Sequence, residues 1–232
     1  MRKDLSSRSG PDDWDANIHY KDARVAESYD AVRFSSVPGK IFNEREKRII
    51  KDAASSSVPQ NATIADIPCG TGRLAEPLLD AGYRVHGMDI SAEMLDVARS
   101  RLRRFGDAFS IEVADAKKFA RSHVQYGAVL CARVLMHFEL PEQIEFLRGV
   151  AQLTSGVVII NHSFSSPYQR FRRLVKRLLG HAASARFPVT SHQLAELLRG
   201  AGLEEVRRYR LNPLISEAIY IVARPTNKGP TR

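Results

Sequence analysis

Along this chain, apolar residues fall into two alternating patterns: short unbroken runs of strand length, and stripes spaced three and four residues apart. From Ile18 to Ile50 the spacing predicts short helices. Tyr20, Val25, Tyr29 and Val32 share one face, and Ile41, Arg45 and Ile49 share another. Ser55-Ser56-Ser57-Val58-Pro59 reads as a linker. Ala62–Ile67 is a strand-like run that ends at a glycine loop, and Arg73–Ala81 is helical and stops at Gly82. Tyr83–Asp89 is a second strand. Ser91–Phe105 is a helix with Ser91 as N-cap and Met94, Leu95, Ala98 and Leu102 on its apolar face. Further strands are predicted at Phe109–Val113, Tyr126–Cys131 and Val157–Ile160, with a helix at Pro141–Leu153 before the last of these. Ser191–Gly202 is helical. Leu203–Leu211 and Ser216–Ala223 are closing strands, joined by a link short enough for antiparallel pairing.

Strands that alternate with helices, and strands apolar throughout such as Val157–Ile160, predict a doubly wound α/β sheet covered on both faces. The 232 residues suffice for one such domain. The expected division is a tail and helical lid over 1–60, a core over 61–224 carrying a basic helical insertion at about 163–189, and a tail over 225–232. Ligands on sheets of this kind bind at the carboxyl ends of the strands.

Composition adds constraints. The 44% hydrophobic content is ordinary for a globular protein. Met1 to Asn17 is polar and lacks the apolar core of a signal peptide, and no apolar run approaches bilayer length, so the expected compartment is the cytoplasm. Two cysteines, Cys69 and Cys131, suggest neither a disulfide framework nor a zinc site, and no metal is expected. The net charge of +9 is unevenly spread. No acid lies between Glu145 and Glu196, whereas that interval holds Arg148, Arg170, Arg172, Arg173, Lys176, Arg177 and Arg186.

The chemistry concentrates at predicted strand ends. Gly70 and Gly72 let the backbone approach a ligand, and the following helix offers free N–H donors. Asp89 closes the second strand, where an acid can accept hydrogen bonds from ribose hydroxyls. A dinucleotide site uses a similar layout, and Ala75 is tolerated where its fingerprint has the last glycine. Asp66 argues against it. A carboxylate at the end of strand one repels a pyrophosphate and suits a phosphate-free ligand with a cationic amino group, such as S-adenosylmethionine.

Ala65-Asp66-Ile67-Pro68-Cys69-Gly70-Thr71-Gly72 resembles motif I of the class I S-adenosylmethionine-dependent methyltransferases. Val85–Ser91 is similar to their second-strand motif, Glu112–Ala116 to the third, and Val129–His137 to the fourth. Ser191–Ala223 is similar to the family's last helix and hairpin. The resemblance spans about residues 18–224 and implies a seven-stranded sheet, mostly parallel, with the last strand antiparallel. It places the cofactor against Asp66, Pro68, Cys69, Gly70, Thr71, Gly72 and Arg73 of the loop. Beyond the loop it adds Asp89, Ile90 and Met94, then Asp115 and Ala116, then Cys131 and Arg133. Pro68 departs from the family's usual glycine; it removes a donor and fixes φ.

The acceptor is less marked. Transfer from a sulfonium gains most of its rate from holding the acceptor in line. A base is needed only where the acceptor hydroxyl is weakly acidic. His137, just past strand four, is the candidate base, against a plain loop histidine. Asn161 and His162 are weaker candidates on the same rim. Tyr20–Asp30 resembles the lid of small-molecule and quinone methyltransferases, which nominates Tyr20, Tyr29 and Arg33. Tyr168–Leu179 has apolar residues at helical spacing with arginine and lysine between them, which nominates Tyr168 and Arg172. This helix packs its apolar face on the core, docks peripherally on an anionic membrane or an acidic amphiphile, or binds nucleic acid. The patch is expected to lack the interleaved exposed aromatics that stack single strands, which disfavours the last. The expected activity is methyl transfer, on oxygen, to a small or lipid-linked acceptor. The alternatives are an RNA or protein methyltransferase and a non-catalytic binding protein. The oligomeric state stays open.

Overall fold

The computed structural model describes residues 35–115, 125–178, 187–212 and 216–226. The lid candidates Tyr20, Tyr29 and Arg33, the adenine-side Ala116, and Leu179 at the end of the basic helix lie outside these residues.

The sheet has seven strands: β1 (Thr63–Asp66), β2 (Arg84–Asp89), β3 (Phe109–Val113), β4 (Tyr126–Cys131), β5 (Thr154–Ser163), β6 (Leu203–Arg210) and β7 (Ala218–Pro225). Their order is β3-β2-β1-β4-β5-β7-β6. β1 pairs in parallel with both β2 and β4, so the order reverses at β1 and opens a crevice at its carboxyl end. β7 runs antiparallel to β5 and β6, as the closing hairpin predicts.

Among the described residues six helices accompany the sheet: α1 (Val37–Ser57), α2 (Ala75–Leu79), α3 (Ala92–Leu102), α4 (Leu140–Ala151), α5 (Pro167–Leu178) and α6 (Ser191–Gly200). One face of the sheet carries a core formed with α4 and α6, including Leu147, Val150, Leu194 and Leu197. The opposite face carries a core with α1 and α2, including Ile50, Ala54 and Leu78. No helix among the described residues is long and apolar enough to cross a membrane.

Several boundaries differ from the sequence pattern. The supposed linker Ser55–Ser57 is the last turn of α1. Burial of Ile50, Ala53 and Ala54 outweighs the weak helix preference of three serines. α1, grouped above with a tail and lid, therefore packs into the core of the sheet. β5 continues through Asn161, His162 and Ser163, because β7 pairs with each of them. An apolar-run reading stops at Ile160. α3 ends at Leu102, and the chain continues in a tighter 3-10 segment over Arg103–Ala108. Ser91 caps α3 as expected: its hydroxyl accepts from the Met94 N–H at 3.1 Å.

Candidate active site

β1 delivers Asp66 to the crevice, and a cis Ile67–Pro68 peptide leads into the glycine loop. The loop is tied to strands on both sides. The Ile67 N–H donates to the Leu130 carbonyl at 2.8 Å, and the Cys69 N–H donates to the Met88 carbonyl at 2.9 Å. Both glycines adopt positive φ, +53° at Gly70 and +73° at Gly72, where side chains are strained. Their surroundings differ. A Cβ on Gly72 would meet Leu102 Cδ1 at 2.7 Å, so this glycine lets α3 press against the loop. A Cβ on Gly70 would meet nothing within 4 Å, so this glycine borders open space.

Asp89 completes the cradle. Its Oδ2 accepts from the Gly70 N–H at 2.8 Å, and its Oδ1 accepts from the Ser91 N–H at 3.0 Å. A carboxylate has about four acceptor sites, so acceptor capacity remains beyond these backbone bonds. Burial pushes the Asp89 carboxyl up, while the backbone N–H bonds pull it down.

Asp66 differs. It is almost wholly buried, and its Oδ2 has no hydrogen-bond partner. Burial, and then the charge of Asp89, push its carboxyl well above the ordinary range, with Arg73 opposing. An unpaired buried carboxylate oxygen is costly. A cationic ammonium group relieves that cost, and a phosphate adds to it. The loop therefore fits the amino-acid end of S-adenosylmethionine. Cys69 and Cys131 are free and buried. Burial and the charge of Asp66 raise both thiols, which keeps them neutral packing groups.

The remaining nominated positions fall in three settings. Ile90 is exposed just beyond β2, Met94 is buried on the inner face of α3, and Asp115 follows β3. The Ala114 N–H bonds the Asp89 carbonyl at 2.9 Å, which links the ends of β2 and β3. Thr71 faces α3, where its hydroxyl accepts from Arg101 Nη1 at 2.9 Å. Arg73 turns toward α1: its Nη1 donates to Asn43 Oδ1 at 2.8 Å and lies 2.7 Å from Glu46 Oε2. Arg133, at φ +67° past β4, has its Nη1 3.7 Å from Glu46 Oε1. Tyr220 on β7 donates its hydroxyl to the same Glu46 oxygen.

Glu46 is the residue that pattern reading overlooked. It is fully buried and joins the cofactor loop, the end of β4 and β7 to α1. A signal for it exists in the sequence: Glu46 lies four residues before Ile50, on the stripe that continues to Ala53 and Ala54.

His137 ends a 3-10 turn, Leu135–His137, just beyond β4, and is half-buried. His162 requires a correction. The sequence placed it on the rim facing the acceptor, yet it is fully buried. Its Nε2 lies 3.0 Å from Gln143 Oε1, and its Nδ1 lies 2.8 Å from the Ser163 N–H and 3.0 Å from the Ser163 carbonyl. Burial lowers its pKa to about 4. The Gln143 amide then donates to the Phe138 carbonyl at 2.8 Å. His162 is thus linked through Gln143 to the segment that carries His137, and is not exposed on the rim. Tyr168 is exposed on α5, and Arg172 Nη1 donates to Gln169 Oε1 at 3.0 Å. Among the described residues no group of three or more His, Cys, Asp or Glu is placed to hold a metal ion.

Similarity to known proteins agrees with this geometry. A family model described as "Methyltransferase domain" matches residues 64–155. A ubiquinone biosynthesis O-methyltransferase of Aromatoleum aromaticum is 31% identical over 166 residues, covering 65% of this chain and 68% of that protein. One from Roseobacter denitrificans is 27% identical over 212 residues, covering 87% and 82%. Among solved structures, the CcbJ methyltransferase of Streptomyces caelestis shares the fold with a TM-score of 0.68 at 19% identity, over 92% of this chain and 100% of that one. The magnesium protoporphyrin IX methyltransferase of Synechocystis PCC 6803, solved with S-adenosylhomocysteine, gives 0.68 at 17% identity, over 88% and 99%. The chain belongs to the class I S-adenosylmethionine-dependent methyltransferases, and S-adenosylmethionine is its methyl donor.

Proposed function

We propose that the chain methylates a hydroxyl group on a small amphiphilic acceptor, that His137 handles the acceptor's proton, and that the protein meets the acceptor at an anionic membrane surface through residues 168–179. The observation that carries the cofactor side is the buried, partnerless Oδ2 of Asp66 beside an ordered Asp89. Oxygen as the methylated atom is supported by relatives named O-methyltransferases that align over most of their length.

When bound, S-adenosylmethionine supplies an electrophilic methyl group on a sulfonium that already leaves readily. This chain's residues bind and orient. Asp66 takes the ammonium group. The spare lone pairs of Asp89 take the ribose hydroxyls. Gly70 leaves room for the ligand, and Ile90, Met94 and the Asp115 segment border the adenine. Pro68 and Cys69 shape the loop, while Thr71 and Gly72 hold it against α3. Arg133 borders the side toward the acceptor, and Cys131 packs at the buried end of β4. His137 would take the acceptor's hydroxyl proton at an imidazole nitrogen, while the methyl–sulfur bond breaks and S-adenosylhomocysteine leaves.

The test is His137→Ala, assayed as S-adenosylhomocysteine formation with an amphiphilic hydroxyl-bearing acceptor. The expected result is a fall in kcat of about 100-fold, with S-adenosylhomocysteine binding unchanged. Full turnover at saturating acceptor would remove His137 from the reaction.

A further inference from the structure

Among the described residues, the carboxyl end of β4 gathers two guanidinium groups around one carboxylate, and they share it unequally. Arg73 Nη1 lies 2.7 Å from Glu46 Oε2 and also donates to Asn43 Oδ1 at 2.8 Å. Arg133 Nη1 stands 3.7 Å from Glu46 Oε1, an oxygen that already accepts from the Tyr220 hydroxyl. Arg133 makes no hydrogen bond to any described residue, and its side chain is only 18% exposed. Tyr220 supplies no second anion. Burial, and then the charge of Glu46, push its hydroxyl well above the ordinary range, so it stays a neutral donor. One positive charge is therefore left over where water hydrates it poorly.

The backbone points the same way. Arg133 has φ +67°, a left-handed conformation that is costly for a residue with a Cβ. Strain of this kind, at a residue whose donors are unused, marks a ligand position.

The location selects the ligand. Arg133 follows β4, and Tyr220 lies on β7, where it pairs with Asn161 of β5. The cluster thus sits on the β4–β5–β7 side of the crevice, across β1 from Asp89. The amino-acid end of the cofactor belongs nearer to β1. Its carboxylate is one carbon from the ammonium group assigned to Asp66, and the cation whose charge reaches Asp66 is Arg73. Arg133, which the motif resemblance set among the cofactor positions, is left for the molecule that approaches from the side of His137, four residues further on.

We propose that Arg133 is an acceptor-binding residue that selects an acidic acceptor: its guanidinium takes a carboxylate carried by the same molecule whose hydroxyl is methylated. The proposal rests on the reading of a small hydroxyl-bearing acceptor and deepens it by giving that acceptor a charge. A guanidinium can donate two parallel N–H bonds to a carboxylate, which fixes orientation as well as charge. Orientation is where a methyl transfer gains most of its rate. A doubly charged phosphate would exceed the single unmatched charge and meet repulsion from Asp66 and Asp89.

The experiment is calorimetry on the full chain saturated with S-adenosylhomocysteine, titrated with salicylate and with its uncharged counterpart salicylamide. Wild type is expected to prefer the acid by about tenfold or more. Arg133→Gln should remove that preference and keep S-adenosylhomocysteine affinity within about twofold. Arg133→Lys keeps the charge beside Glu46 and loses the fork, so its preference should fall about threefold; it carries the test if thermal unfolding shows the glutamine variant unfolded. His137→Ala should retain the full preference, because holding the carboxylate needs no proton transfer. Loss of turnover in that variant with the preference intact supports both readings, and full turnover with the preference intact removes the base and leaves the anion site standing. The proposal is overturned if wild type binds acid and amide equally or binds neither. An undiminished preference in the Arg133 variants overturns it as well. A tenfold loss of S-adenosylhomocysteine affinity in a folded Arg133 variant assigns the guanidinium to the cofactor's own carboxylate and overturns the acceptor role.

Discussion

Nη1 of Arg73 lies 2.7 Å from Oε2 of Glu46, and the carboxylate of that pair has no solvent exposure. The same carboxylate serves Arg133 and Tyr220, so one charge on α1 holds three other parts of the crevice. Glu46→Gln keeps the shape and removes the charge, leaving the Arg73 guanidinium buried without its counter-ion. The expected loss is about 3 kcal/mol of stability, read by urea unfolding. Glu44→Gln, exposed on the same helix, should change stability little.

The two loop glycines should respond differently to alanine. At Gly72 the new methyl collides with Leu102 and Ala98, and the backbone is strained as well. Gly72→Ala should cost about 1–3 kcal/mol in unfolding experiments. At Gly70 the methyl enters open space, so stability falls by only about 1 kcal/mol from backbone strain. The larger effect there is on S-adenosylhomocysteine affinity, expected to drop about tenfold, which calorimetry measures.

This contrast shows what the sequence could and could not disclose. The loop glycines, Asp66 and Asp89 were legible because strand ends and glycine spacing are local features, and the closing hairpin was legible for the same reason. Glu46 was not singled out, since its partners lie 27, 87 and 174 residues away at Arg73, Arg133 and Tyr220. The end of β5 was misread because its last residues are polar and owe their strand state to pairing with β7. His162 looked like a rim histidine for the same reason; only the packing of α4 reveals that Gln143 covers it. The apolar stripe of α5 was visible, but whether it faces the core or the surroundings is a tertiary fact.

His162 makes stability depend on pH. Its pKa is lowered from 6.5 to about 4 by burial, so the unfolded chain binds a proton that the folded chain refuses. Stability from this group is present above about pH 6.5 and is lost as pH falls toward about 4. The full effect is about 3 kcal/mol. Asp66 and Asp89 act in the opposite sense. Their raised carboxyls favour the folded state in acid, and that contribution fades as pH rises through their folded values. Comparing wild type with His162→Gln in urea unfolding across this range isolates the histidine: the variant should lose the acid-side decline attributable to it.

Asp66 offers the most direct test of the central claim, that the crevice holds the amino-acid end of S-adenosylmethionine. Its carboxyl sits well above the ordinary range because of burial and the neighbouring Asp89. An arriving ammonium group favours the ionised form, so binding releases a proton, and affinity rises with pH until the ligand-free carboxyl is fully ionised. The measurement is calorimetry of S-adenosylhomocysteine binding in buffers of different ionisation enthalpy, for wild type and Asp66→Asn. Wild type is expected to release a proton on binding, and Asp66→Asn to bind about tenfold or more weakly without proton release. Equal affinity in both proteins without proton release, or no binding to folded wild type, would contradict the claim.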